Sequence, residues 1–283
     1  MESVMEIDDQ DIYRFTQAVK SISDYDLSEY SDKSLKRRLA KVLLDTHTDL
    51  PGLLKIMSHD PVFLEKIIKD ITVTTTELFR DPPIWHTLRF EILPIYQQQQ
   101  AINIWHAGCA TGQEVYSMLI LLHELGLFSR TNLYATDLND DALNVARKGM
   151  YKYRFNIGYL ENFDKVIREN PMNNEDYRDI PYSDYFEIDH VRDLITFRPF
   201  LLEKPVFRKL DLVHETNPFS VFFDIIMCRN VVIYFNFNLQ NKVYRLFHDS
   251  LSSGGHLILG MHEIIMGPLA SYFIKNNQVY TKK

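Results

Sequence analysis

An α/β chain led by a small all-α domain is what this sequence predicts, and three observations predict it. Ile102–His106 reads as a short apolar strand, followed by a turn with glycines at 108 and 112, a helix start, and a second strand ending on Asp137. Phe222–Cys228 is a near-continuous apolar run, as a strand buried on both faces should be. Residues 1–70 carry helical periodicity and no strand alternation. The expected layout is a helical domain over 1–70, a linker and helix over 71–101, and a Rossmann-like sheet domain over 102–283.

In the helical part, Ile7–Val19 spaces Ile12, Phe15, Ala18 and Val19 at a helical period. Residues 31–44 place Leu35, Leu39, Val42 and Leu43 on one face, with Lys33, Lys36, Arg37 and Lys41 largely away from it. Asp49–Pro51 and His59–Pro61 each look like a helix start, an Asp to cap and a proline at or near the first turn. A bundle of about four short helices ending near Asp70 follows. The basic helix reads either as a solvated face or as a docking surface for an acidic partner.

Ile71–Thr76 is β-branched and helix-averse, and Pro82 and Pro83 open a helix running to about Tyr96. Arg80 lies in this connection, where it either pairs with a carboxylate across the interface or faces a cleft. Beyond the 102–106 strand, helices are expected over 112–125 and 139–148, with a strand over 132–136 between them. Residues 150–200 break the alternation: a helix over 160–169, then a hairpin from Phe186–Asp189 and Leu194–Phe197. Such an insertion must lie on the margin of the sheet, where a free strand edge can receive a peptide. Phe207–Leu212 resumes the sheet, Asn238–Leu251 is helical, His256–Gly260 is a strand, and 271–281 supplies a final strand pair.

The glycine turn and Asp137 describe a nucleoside site at the carboxyl edge of the sheet. Gly108 and Gly112 let backbone approach a ligand, and a carboxylate at the next strand end is placed to accept from a ribose diol. Gly-x-Gly-x-x-Gly and Gly-x-x-x-x-Gly-Lys-Ser/Thr are both absent, which removes the usual seats for a pyrophosphate and a triphosphate. A ligand with ribose and no phosphate fits better, and S-adenosylmethionine is the common one. The competing reading is a βαβ crossover whose glycines only permit tight packing. Glu114, in the first turn of the following helix, and Asp137 should point into the same crevice. Arg229 and Asn230 follow their strand at the same edge.

Composition narrows the classes. No apolar run is long enough to span a membrane, and residues 1–11 lack a secretory pattern. Two cysteines fit a reducing cytoplasm and no disulfide framework, and no metal-ligand cluster is visible. The net charge of -7 argues against a nucleic-acid partner.

Four blocks in order then resemble a known family: Thr74–Asp81, Ala107–Ser117, Ala135–Leu138 and Cys228–Phe235. The chain resembles the CheR-type chemoreceptor methyltransferases, which use S-adenosylmethionine to esterify receptor glutamates and release S-adenosylhomocysteine. The resemblance implies a Rossmann-like S-adenosylmethionine methyltransferase domain. It implies that Glu114 binds the methionine amino group, that Asp137 binds the ribose, and that Gly108 belongs to the cofactor turn. It places Thr76 and Arg80 over the methionyl end, counts Thr74 among the cofactor-binding residues, and puts Asp211 and Leu212 beside the adenine and Arg229 and Asn230 in the cleft. Arg80 and Tyr234 are the implied catalytic residues. Thr74 and Asp211 stand where the family usually has Asn.

By the same resemblance, Lys33, Lys36, Arg37, Arg38 and Lys41 would meet acidic receptor helices. Some members also dock a receptor tail at the hairpin region, here about 185–198. Two other classes compete: a methyltransferase for another substrate on this fold, and a non-catalytic cofactor-binding signalling protein.

Overall fold

The computed structural model describes residues 7–72, 76–173, 175–214 and 216–283, with the Phe155 side chain left aside. It divides into two compact units: Met1–Thr74 with Val231–Tyr244, and Thr75–Asn230 with Arg245–Lys283.

The first unit contains four short helices, α1 (Asp9–Ile22), α2 (Asp32–Thr46), α3 (Leu50–His59) and α4 (Pro61–Ile71). Local chemistry sets their starts. Asp8 and Asp11 form a reciprocal capping box on α1, Asp49 accepts from Gly52 N, and Asp60 accepts from Val62 N and Phe63 N. Pro51 and Pro61 sit where a missing N–H costs nothing. Phe15, Leu39, Leu53 and Ile67 meet in a core that excludes water from all four helices. The segment 231–244 joins this unit through backbone: Ser31 N donates to the Tyr234 carbonyl at 2.8 Å, and Asn236 N to that of Glu29 at 2.9 Å.

On the basic helix, Lys36 pairs with Asp9 at 2.6 Å. Arg38 turns inward, donating to the Ile71 carbonyl at 3.0 Å and lying 4.6 Å over the Tyr234 ring. The expected five-residue cationic face is therefore narrower. Lys33, Arg37 and Lys41, spaced four apart, are its exposed members.

The second unit opens with α5 (Pro82–Thr87), whose helical path continues through a wide turn over Leu88–Ile92 and a tight one over Leu93–Gln98. The sheet strands are β1 (Ile102–Ala107), β2 (Thr131–Asp137), β6 (Pro205–Lys209), β7 (Phe223–Cys228), β8 (Leu251–Leu259), β9 (Phe273–Asn276) and β10 (Val279–Lys282). Their order is β6-β2-β1-β7-β8-β10-β9, parallel from β6 through β8 with β10 antiparallel to both neighbours. Chain order reverses beside β1, where β2 lies on one side and β7 on the other, and a crevice opens at such a switch point. Helices α6 (Gln113–Glu124) and α7 (Asp140–Lys148) follow β1 and β2. α6 is buried on almost every side, which explains its unbroken Val115–Leu122 run.

The insertion holds α8 (Ile157–Phe163), continued by a wide turn over Asp164–Arg168, and a three-stranded antiparallel sheet ordered β3-β5-β4. β3 is Met150–Lys152, β4 Phe186–Asp189 and β5 Leu194–Phe197. The hairpin is as expected, with β3 added to it. Helices α9 (Pro199–Leu202) and α10 (Phe237–Ser250) complete the chain, α10 crossing from one unit into the other. The strand expected over 207–212 instead spans Pro205–Lys209, which ends where its partner β2 ends, Lys209 standing opposite Asp137.

Candidate cofactor site

β1 and β2 run in register, Ala107 opposite Thr136, so both end at one edge. The chain leaves β1 through a turn in which Gly108 (φ 78°), Ala110 (φ 48°) and Gly112 (φ 90°) all take positive φ. That conformation turns successive N–H groups toward the β2 tip. Gly108 N and Cys109 N donate to the Thr136 carbonyl at 2.8 and 2.9 Å, and Ala110 N donates to Asp137 Oδ2 at 2.7 Å. The two readings of the glycine turn divide between its glycines. Gly108 serves the turn, whereas a Cβ on Gly112 would lie 2.7 Å from the Ala146 Cβ of α7, so Gly112 also serves packing.

Asp137 Oδ1 accepts from Asn139 N at 2.9 Å. Each carboxylate oxygen thus holds one backbone N–H and keeps a lone pair. Burial pushes this carboxyl up; the backbone hydrogen bonds from Asn139 and Ala110 oppose that, and burial wins. Leu210 N donates to the Asp137 carbonyl at 3.0 Å, which brings the 210–212 segment beside the β2 tip. There Asp211 Oδ1 accepts from Val213 N at 2.8 Å, and Leu212 is buried.

Glu114 sits in the first turn of α6, where the helix dipole favours an anion. Its Oε2 accepts from Arg229 Nη1 at 3.0 Å, and its Oε1 lies 3.0 Å from His106 Nδ1. Burial raises this carboxyl, but the His106 hydrogen bond and the Arg229 charge outweigh it, and Glu114 is held below its ordinary value. Arg229 is buried just past β7. Its Nη2 donates at 2.8 Å to both Asp81 Oδ2 and the Arg80 carbonyl, and its guanidinium lies 5.9 Å from the Trp85 ring.

The Arg80 segment is strained and anchored. Phe79 and Asp81 both take positive φ, 49° and 57°, which non-glycine residues adopt at a cost. Phe79 N donates to Ser117 Oγ at 2.8 Å, and its ring meets Trp85 and Phe163 edge-on. The Thr76 carbonyl accepts from the Tyr159 hydroxyl at 3.1 Å, and the Arg80 charge acts on that same hydroxyl. Thr74 lies outside the described residues.

Asn230, at φ 59°, is fixed by Glu263, whose Oε2 accepts from Asn230 N at 2.9 Å and Gly260 N at 2.7 Å. The structure therefore joins the Arg80 backbone carbonyl, Asp81, Glu114 and Arg229 in one network, and Gly108, Asp137 and the 211–212 segment in a second at the neighbouring strand tip. Tyr234 belongs to the first unit, in a tight turn over Val232–Tyr234 with Arg38 over its ring. Sequence reasoning missed His106, Asp81 and Glu263. A histidine inside an apolar strand and a glutamate just after Gly260 were the available signals. Among the described residues, no three His, Cys, Asp or Glu side chains are grouped to hold a metal.

A parallel sheet with a glycine turn after its central strand and a carboxylate at the next strand tip defines a nucleoside-cofactor enzyme of the Rossmann-like class. The model of the family described as CheR methyltransferase, SAM binding domain, matches residues 74–165 and 172–280, and the chain belongs to that family. It is a methyltransferase that depends on S-adenosylmethionine. It is 34% identical to a putative methyltransferase Cher3 of Pseudomonas putida, over 91% of this chain and 89% of that protein. It is 29% identical to a chemotaxis protein methyltransferase of Listeria innocua, over 97% and 98% of the two chains. A chemotaxis protein methyltransferase of Borreliella burgdorferi is 28% identical over 91% of this chain and 89% of its own.

Proposed function

We propose that this chain methylates glutamate side chains on the cytoplasmic helices of chemoreceptors, giving methyl esters in chemotactic adaptation. The carrying observation is the pairing of the family match with two anionic strand-tip sites of different character. The residues fit the cofactor. Asp137 keeps one lone pair on each oxygen, enough for a ribose diol, and Glu114 remains ionised inside the protein, suited to an ammonium. Bound S-adenosylmethionine supplies an electrophilic methyl group on a positively charged sulfur.

The chain's own residues do the rest. Glu114 and Asp137 hold the two ends, the Gly108 turn lets backbone approach, and Asp211 and Leu212 flank the adenine. Thr76 and Arg80 close over the methionyl carboxylate, with Thr74 in the same block, while Arg229 and Asn230 fix the cleft. A substrate glutamate is already ionised, with a reference pKa of about 4.3, so no strong general base is required. Alignment of the two reactants is then the main contribution, worth roughly 7–11 kcal/mol in favourable cases. Arg80 and Tyr234 are the catalytic side chains in this reading, Arg80 orienting an anion and Tyr234 orienting the incoming carboxylate.

For the partner, the exposed stripe of Lys33, Arg37 and Lys41 suits an acidic helix and should make encounter salt-dependent. The free edge of β4, outermost in its sheet, suits an added strand from a receptor tail. Receptor helices of this kind place the enzyme in the cytoplasm. No described helix is long and apolar enough to cross a membrane.

Transfer of a radiolabelled methyl group to receptor-containing membranes, followed by alkali, tests the reading. Volatile methanol released by base is the expected result, because it marks a carboxyl ester. Label that survives base would indicate methylation at nitrogen and overturn it.

A further inference from the structure

The motif that carries Glu114 also carries a buried side chain that no role above uses, His106. We infer that His106 is a positioning residue for the cofactor's amino-acid end, holding one Glu114 oxygen away from Arg229 so that the carboxylate stays open to an ammonium. This rests on the reading of Glu114 as the ammonium's partner.

His106 is fully buried in β1, and its Nδ1 lies 3.0 Å from Glu114 Oε1. An ionised carboxylate only accepts, so Nδ1 carries the proton and donates. Nε2 has no exposed surface and no hydrogen-bond partner among the described residues, which offer a proton there no acceptor. In the sheet His106 stands opposite Ala135 on one side and Met227 on the other, which offer it no competing side-chain group. Among the described residues its one polar contact is Glu114.

The consequence is geometric. Arg229 engages Glu114 through Nη1 alone, at 3.0 Å, while Nη2 serves Asp81. A guanidinium readily takes both oxygens of a carboxylate, and that closed pair would leave little of Glu114 for a ligand. His106 holds the second oxygen apart. Two carboxylates, Glu114 and Asp81, then face one guanidinium, and the unmatched negative charge attracts a cation.

The test compares S-adenosylhomocysteine with 5′-methylthioadenosine, which lacks the amino-acid end, by calorimetry on the full chain. His106→Leu should weaken S-adenosylhomocysteine by about tenfold, the scale of one charge-assisted hydrogen bond, and leave methylthioadenosine unchanged. Equal weakening of both ligands, or of neither, would overturn the inference. An Asn amide can stand where Nδ1 stands and a Gln amide where Nε2 stands, so His106→Asn should retain the preference and His106→Gln should lose it. Should the Leu variant fail to fold, equal affinities in the Asn and Gln variants would refute the role by themselves. Glu114→Ala separates the two failures: if it too keeps the full preference, the ammonium assignment falls and this inference with it. If Glu114→Ala loses the preference and His106→Leu does not, only the role of His106 is wrong.

Discussion

The tips of β1 and β2 lie side by side at one edge of the sheet, yet they hold their carboxylates by opposite means. Glu114, one turn beyond β1, is gripped by two side chains, His106 and Arg229, and is pulled below its ordinary pKa in spite of burial. Asp137, at the end of β2, is gripped only by backbone N–H groups, and burial lifts it. Side-chain donors, His106 first and then Arg229, outweigh desolvation at Glu114, and backbone N–H groups do not at Asp137. The first arrangement favours the ionised carboxylate, which suits a charged ligand group. The second makes a fixed hydrogen-bond acceptor suited to hydroxyls.

Activity gives the largest expected effect. Arg80→Ala should lower methyl transfer by about a hundredfold or more, since an oriented charge at a reacting centre is worth several kcal/mol. Its urea-unfolding midpoint should hardly move, and unchanged turnover would remove Arg80 from the catalytic set. Stability separates the two tips next. Glu114→Ala takes from the buried Arg229 one of its two carboxylate partners, leaving Asp81 and the Arg80 carbonyl, and should cost about 3–5 kcal/mol. Asp137→Ala strands backbone donors and should cost about 1–3 kcal/mol. Equal losses in equilibrium unfolding would erase the contrast between the tips.

Acid sharpens the contrast further. The folded-state pKa of Glu114 is lowered, so its contribution is present above the unfolded value of 4.5 and fades as pH falls through the folded one. The stability gap between wild type and Glu114→Gln should therefore narrow on acidification below about pH 5. Asp137 runs the other way: its folded pKa is raised above 3.8, the folded protein takes its proton first, and acid favours folding through this group. Urea midpoints for the two variants across that range check both signs. The smallest effect belongs to the helical unit. Asp60→Ala, which removes the cap on α4, should cost about 1 kcal/mol and leave cofactor affinity untouched.

What could be read from the chain alone was whatever is encoded over short distances. The Asp60–Pro61 pair announced α4, the 222–228 run announced β7, and the glycine turn announced the place where the ends of β1 and β2 meet at Asp137. The helix expected over 139–148 is α7, which begins at Asp140 with Asn139 as its cap. Long-range pairing was not. Arg229 was visible as a polar residue after a buried strand, but its partner Asp81 is 148 residues away. Glu263 reaches back 33 residues to fix Asn230. His106 looked like a blemish in an apolar strand, and its meaning depends on where the first turn of α6 aims Glu114. β3, three residues long, is too short to show alternation. Arg38 joined the cationic surface only through the family resemblance, and its helical position could not disclose a tyrosine some two hundred residues away in sequence.

The most direct measurement is a calorimetric titration of S-adenosylhomocysteine into the purified chain and its Asp137→Ala variant. A single saturable site in the wild type, abolished or weakened at least a hundredfold in the variant, is the predicted result. Undiminished affinity in Asp137→Ala would contradict a nucleoside seated at the tips of β1 and β2.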